Sequence, residues 1–202
     1  KKNEDLKNSL QNKFPNITIS TYELDILNLD NQNFVYNKIK NIPKGIISLI
    51  GETHNIEKIY DKKLTKIINV NFTNLINFLT YFLNDFEEKN EGFLICVSSV
   101  AGLRGRSKNF IYGSAKAALI TFLSGCRNYY NNTNIFIMTV LPGFIRNNKD
   151  NTNKILQIEP SVLAKKIFLA HKKKKEIVYS SFLWKLIMLV IQILPNKIFN
   201  KI

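Results

Sequence analysis

Apolar positions gather into short continuous runs separated by amphipathic stretches. Three runs, 45–50 (GIISLI), 92–99 (GFLICVSS) and 134–141 (NIFIMTVL), are apolar almost throughout. That is the pattern of strands buried on both faces of a parallel sheet. Residues 17–24 (ITISTYEL) alternate and are rich in β-branched side chains, which predicts a further strand with Asp25 at its C-terminal end. A short last strand is predicted at 176–180 (EIVYS). Between these runs the period changes to that of a helix. Residues 3–13 place Leu6 and Leu10 on one face. Helices are also predicted at 31–40, 64–88, 109–130 and 160–171, the second of them long and amphipathic. Pro142-Gly143 stops the 134–141 strand. Strands alternating with helices imply βαβ units and an α/β fold around a parallel sheet.

The C-terminal stretch 182–194 (FLWKLIMLVIQIL) is different. It is apolar, with Lys185 inside it. It is shorter than the roughly 20 residues needed to span a bilayer. Two placements stay open. It can lie in a membrane interface, with Trp184 at headgroup level and the Lys172–Lys175 run facing anionic lipid. It can equally pack as a helix on the domain or in a dimer interface. The reading is therefore an α/β domain over 1–180 and an apolar tail over 181–202.

The 202 residues suit one domain with a real core. The net charge of +14 points to an anionic partner or surface. Lys, Asn and Ile are over-used along the whole chain, so a solvated basic surface explains much of that charge as well. No helix-turn-helix, zinc or stacking motif supports nucleic-acid binding, and no metal site is predicted. Two cysteines, Cys96 and Cys126, make no disulfide framework, and a reducing cytosolic setting is expected. The polar, charged start lacks the pattern of a signal peptide.

The candidate chemistry lies in IYGSAKAAL (111–119). Tyr112 and Lys116 are four apart and share a helix face. An ammonium beside a phenol favours the phenolate and would lower its pKa from about 10. Such a tyrosine exchanges a proton with a carbonyl or alcohol oxygen near neutral pH. The same spacing also arises by chance in many helices. Its context sharpens it. Ser99 ends a predicted buried strand, where open α/β sheets place reactive groups. Asn71 interrupts an otherwise apolar helix. Each has a plain structural alternative: a strand-end cap for Ser99, a solvated face for Asn71.

Together these residues resemble the short-chain dehydrogenase/reductase family, which pairs a Ser with Tyr-x-x-x-Lys and completes a tetrad with an Asn in the preceding helix. The resemblance implies a Rossmann-like, doubly wound parallel sheet, NADH or NADPH as cofactor, and catalysis by Asn71, Ser99, Tyr112 and Lys116. It implies that Tyr112 is the general acid, that Lys116 lowers the tyrosine's pKa and bonds the nicotinamide ribose, and that Ser99 polarises the carbonyl. Asn71 would hold a water linking Lys116 to solvent. LD (24–25) is similar to the strand end whose Asp contacts the adenine, which implicates Asp25 and Ile26. SLIG (48–51) occupies the place of an Asn-Asn-Ala-Gly turn, of which Gly51 survives. LPGF (141–144) resembles the Pro-Gly loop beside the nicotinamide, implicating Pro142, Gly143 and Ile145. Arg146 and Asn147 stand where the family usually has a Thr.

VNFTN, SSVAGLRGRSKNFIYGSAKAALITFLSGCRN and TVLPGF are similar to one branch, the reductases of decaprenylphosphoryl-2-keto-ribose and related polyprenyl-phosphate sugars. A lipid-linked anionic substrate would account for the basic balance, for Arg104 and Arg106, and for the apolar tail; surface charge is the alternative for the arginines. The implied setting is cytoplasmic, peripheral on the inner face of a membrane through the tail. Family members usually form homodimers or homotetramers through the helices at 64–88 and 109–130. Neither G-x-x-x-G-x-G nor G-x-G-x-x-G occurs in the sequence. The strand at 17–24 matches the family's third, so the first β-α-β unit is expected to precede Lys1, outside an N-terminally truncated chain. Two further readings stay open: a ketoreductase acting on a 3-ketoacyl, keto-sphingoid or steroid-like ketone, and a non-catalytic scaffold acting through 182–202.

Overall fold

The computed structural model describes residues 2–39, 42–53, 63–147 and 154–201. The last residue of the expected 31–40 helix and the last of the tail lie outside them. The chain divides into two units, Lys1–Asn41 and Ile42–Ile202.

The first unit carries helix α1 (Lys2–Lys13) and helix α2 (Leu29–Lys38). Glu4 and Asp5 sit in the first turn of α1 and Lys13 in its last, which suits the helix dipole. Asn28 caps α2 by accepting from the Asn31 N–H at 2.9 Å. The expected strand at 17–24 is not formed: residues 18–25 have no regular structure. Alternation gives an extended preference, but pairing makes a strand, and none of the described strands pairs with this segment.

The second unit is built on a four-stranded sheet of β1 (Gly45–Ser48), β2 (Gly92–Val97), β3 (Ile135–Leu141) and β6 (Ile177–Tyr179), in that order and all parallel. A second small ladder pairs β4 (Phe144–Ile145) with β5 (Gln157–Ile158). Helices cover both sheet faces. Ile95, Met138, Val140 and Val178 pack against Leu163 and Ile167 of α6 (Pro160–Lys172). On the other face lies α5 (Phe110–Tyr129), whose Arg127 donates to Thr139 Oγ1 at 2.8 Å. This is the α/β layering that the runs of apolar residues predicted, in the Rossmann-like form that the family resemblance implied. The 64–88 helix is real but not uniform: α3 (Leu64–Ile68) and α4 (Asn74–Lys89) are joined by a π-helical segment, Asn69–Thr73. Cys96 and Cys126 are both buried and unbonded.

The tail forms helix α7 (Phe182–Ile193) and a short turn, α8 (Asn196–Phe199). Ser181 caps α7, accepting from the Trp184 N–H at 3.1 Å. Trp184 does not reach outward as an interface residue would. It is 4 % exposed, packs with Val100, Leu141 and Met188, and donates from Nε1 to the Leu156 carbonyl at 2.8 Å. Its indole lies where a Cβ on Gly143 would sit, 2.0 Å from Cε2, so that position admits glycine alone. Among the described residues, no helix is long and apolar enough to cross a membrane.

Candidate active site

β1, β2 and β3 are parallel and end at one edge of the sheet, and the segments leaving them meet there. After β1, the Glu52 N–H donates to Asn71 Oδ1 at 3.2 Å, and Asn71 Nδ2 returns a bond to the Glu52 carbonyl at 2.8 Å. The second Nδ2 hydrogen goes to the Ile67 carbonyl one turn back, at 2.9 Å. Asn71 is wholly buried and sits in the π segment, which rules out the solvated-face alternative. Widened turns of this kind often mark functional positions. The side chain supplies helix-like bonding in the wide turn and braces the Gly51-Glu52 loop. The Glu52 carboxylate is held in turn by Lys66 at 2.9 Å.

After β2, Ser99 does cap a turn, accepting from the Ala101 N–H at 3.1 Å. It does more than that, because its hydroxyl also acts on the Tyr112 phenol, drawing that group's pKa down. Two glycines set this approach. A Cβ on Gly102 would lie 2.7 Å from the Lys116 carbonyl carbon, and one on Gly113 would lie 2.9 Å from the Ala101 oxygen. The Ser99 loop therefore rests directly on the α5 backbone. Ser98 adds a buried bond to the Lys116 carbonyl at 3.0 Å. Gly102, Gly113, Ser98 and Glu52 are positioning residues the sequence reading missed. The small residues around Tyr112 and Lys116 were the available signal for Gly113; Glu52 gave none.

Lys116 is 2 % exposed. Its Nζ donates to the Ile50 and Val97 carbonyls at 3.4 and 3.3 Å and lies 5.7 Å from the centre of the Tyr112 ring. Burial pulls its pKa down to about 8, partly opposed by the nearby Cys96. The expected depression of the Tyr112 pKa is not found. Burial raises it, the Ser99 hydrogen bond pulls the other way, and the ammonium faces the ring rather than the oxygen. Tyr112 thus holds its proton at neutral pH. That is the state a general acid needs to protonate a developing alkoxide.

The loop after β3 adjoins this cluster. The Val100 N–H donates to the Pro142 carbonyl at 3.0 Å, and the Gly143 N–H donates to Ser180 Oγ at 3.1 Å. Ile145 lies in β4, opposite Ile158. Arg146 pairs with Glu159. Asn71, Ser99, Tyr112, Lys116 and Gly51 are therefore brought together, with Pro142, Gly143 and Ile145 on the adjoining loop. Asp25 and Ile26 lie in the first unit, at the turn into α2. Asp25 Oδ1 accepts from the Leu27 N–H at 3.0 Å, and the Ile26 carbonyl accepts from Gln32 at 2.7 Å. Arg104 is not a substrate-facing cation. Its guanidinium caps the end of α7, bonding the carbonyls of Ile191 and Leu194 and the Asn196 side chain, and stacks 4.0 Å from the Phe199 ring centre.

The residues present fit the nicotinamide end of a dinucleotide. The two Lys116 contacts are long, so the ammonium keeps donor capacity beyond them. Gly51 offers a bare Cα beside it, where a Cβ would lie 3.1 Å from Nζ and from Asn71 Oδ1.

The fold is a parallel sheet covered on both faces, with Ser99, Tyr112 and Lys116 converging at its C-terminal edge. The short chain dehydrogenase family model matches residues 1–156, and the chain belongs to that family. It is 27 % identical over 137 residues to an uncharacterized oxidoreductase of Mycobacterium tuberculosis, covering 67 % of this chain and 55 % of that one. It is also 27 % identical over 125 residues to the 3-oxoacyl-[acyl-carrier-protein] reductase of Chlamydia trachomatis, covering 60 % and 49 %. A short chain dehydrogenase from Burkholderia cenocepacia, solved in complex with NADP, superposes with a TM-score of 0.73 at 19 % identity, over 84 % of this chain and 74 % of that one. The chain spans about half the length of the curated relatives it matches.

Proposed function

We propose that this chain carries the proton-transfer half of an NAD(P)H-dependent ketoreductase. The observation that carries this reading is the Ser99–Tyr112–Lys116 cluster at the sheet edge, braced by Asn71. Tyr112, protonated at neutral pH, delivers its proton to the substrate oxygen. Ser99 orients that oxygen from the opposite side of the loop contact. Lys116 lies behind the tyrosine ring and would hold the nicotinamide ribose, with the Gly51 backbone and the 142–145 loop beside it. A bound nicotinamide supplies the hydride, and the protein supplies position and electrostatics. Asp25 and Ile26 are assigned to the adenine end by family resemblance. NADH and NADPH both suit the residues described.

The favoured substrate is a keto group on a polyprenyl-phosphate-linked sugar. Support comes from the likeness of the 70–74, 98–128 and 139–144 segments to that branch, from the net charge of +14, and from the apolar tail. Arg104 no longer contributes to this support, because its guanidinium caps α7. A cytoplasmic enzyme, peripheral on the inner membrane face and self-associating through the α4 and α5 helices, suits such a substrate. The second reading is a 3-ketoacyl thioester, favoured by the match to the chlamydial reductase. The test is turnover of both substrates by the full-length enzyme. About tenfold or more higher kcat/KM on the lipid-linked ketone is expected. Preference for the thioester contradicts the sugar and leaves the ketoreductase; turnover of no ketone contradicts both.

A further inference from the structure

Helix α7 meets the sheet with one side only. Trp184 and Met188 are buried there. The opposite side carries Phe182, Leu183, Leu186, Leu189, Val190 and Ile193, each between 40 and 75 % exposed. At 3.6 residues per turn these six fall in an arc of about 120° that holds no polar residue, with Lys185 and Gln192 along one border. An apolar arc that wide normally faces a core or a lipid phase. Left in water, such a patch marks an interaction site.

A groove of about 800 Å³ opens beside it, between α6, β6 and the first turn of α7. Leu169, Ile177 and Phe182 give it an apolar floor, and Phe182 is shared with the α7 arc. Five lysines line it (Lys165, Lys166, Lys173, Lys175 and Lys185) and no acidic residue does. Lys166 donates to the Ser180 carbonyl at 3.1 Å, tying one wall to the strand end. The neighbouring Glu176 is directed at Arg127, 3.8 Å away.

We propose that the face formed by α6, β6 and α7 is a docking surface for an anionic lipid bilayer, with the α7 arc entering the interface and the groove lysines meeting lipid phosphates. Charge decides between this occupant and a second copy of the chain. A two-fold contact sets a face against itself, which would bring five lysines opposite five more with no carboxylate in the groove to answer them. An anionic headgroup layer answers them all. The length of α7, about 18 Å, suits a helix lying along the surface. The inner side, with Trp184, stays anchored on the protein. The inference does not rest on the reduction chemistry.

The test is co-sedimentation of the full chain with phosphatidylcholine vesicles and with phosphatidylcholine–phosphatidylglycerol vesicles. Binding about tenfold stronger to the anionic vesicles, weakened by salt, is expected. The paired substitution Leu186→Glu with Leu189→Glu should abolish binding. Lys173→Gln with Lys175→Gln should reduce the anionic preference while leaving the circular-dichroism melt unchanged. Absent or equal binding to the two vesicles would overturn the proposal. So would a lipid-free dimer, seen by light scattering, that the paired leucine substitution dissolves.

Discussion

Helices α5 and α7 break the usual partition of side chains in opposite directions. α5 buries an ammonium, Lys116, at 2 % exposure. α7 leaves hydrocarbon in water along one whole side while Trp184 and Met188 fill the other. Burying a charge costs free energy, and exposing six large apolar side chains forgoes the stabilisation their burial would give. Stability alone selects neither. α5 places its misfit at the C-terminal edge of the sheet beside a protonated tyrosine, where a buried cation has chemical use. α7 places its misfit on the outside beside a run of lysines, where an external apolar phase has use. Both departures from local rules fall where the proposed roles lie.

The comparison can be broken at either helix. The largest effect is expected at α5. The folded protein releases the Lys116 proton near pH 8, whereas the unfolded chain holds it to about 10.5. Below pH 8 the buried charge therefore costs stability, and that cost is removed as pH rises from 8 toward 10.5. Relative to Lys116→Met, the wild type should gain roughly 2 kcal/mol between pH 7.5 and pH 10, read by urea unfolding at those two values. An unchanged difference would mean that Lys116 is not held as a buried cation. Arg104→Ala should follow, at about 1–3 kcal/mol, because it uncaps the α7 carbonyls. Amide exchange should quicken in the last turn of α7 and stay unchanged in α5. The smallest effect is expected on the outer face of α7. Leu186→Glu with Leu189→Glu should cost about 1 kcal/mol of stability in lipid-free buffer, because those side chains are already 44 and 60 % exposed. A large loss there would mean the arc is already packed.

Much of this arrangement was legible in the sequence because buried parallel strands read as continuous apolar runs. Those at 45–50, 92–99 and 134–141 became β1, β2 and β3. The i, i+4 spacing placed Tyr112 and Lys116 on one helix face for the same reason of period. What escaped depends on contacts between segments. The π segment around Asn71 needs a loop to brace, and the sequence does not reveal that Glu52 is its partner. Spacing gave the neighbours of Tyr112 but not the direction of its pKa, which burial decides. For Trp184 the sequence left open an interface anchor or a packed helix, and for Arg104 a substrate cation or surface charge. One is turned inward onto Gly143 and the other caps a helix distant in sequence. The alternation at 17–24 had no strand to pair with among those described.

The most direct test of the central claim is Tyr112→Phe in the full-length enzyme, measured for both ketone reduction and cofactor affinity. Removing the proton donor should lower kcat by about a hundredfold to ten-thousandfold, with nucleotide binding and the melting temperature unchanged. A variant that keeps the wild-type rate would show that Tyr112 is not the general acid, and the Ser99–Tyr112–Lys116 cluster would then be a packing arrangement rather than a catalytic one.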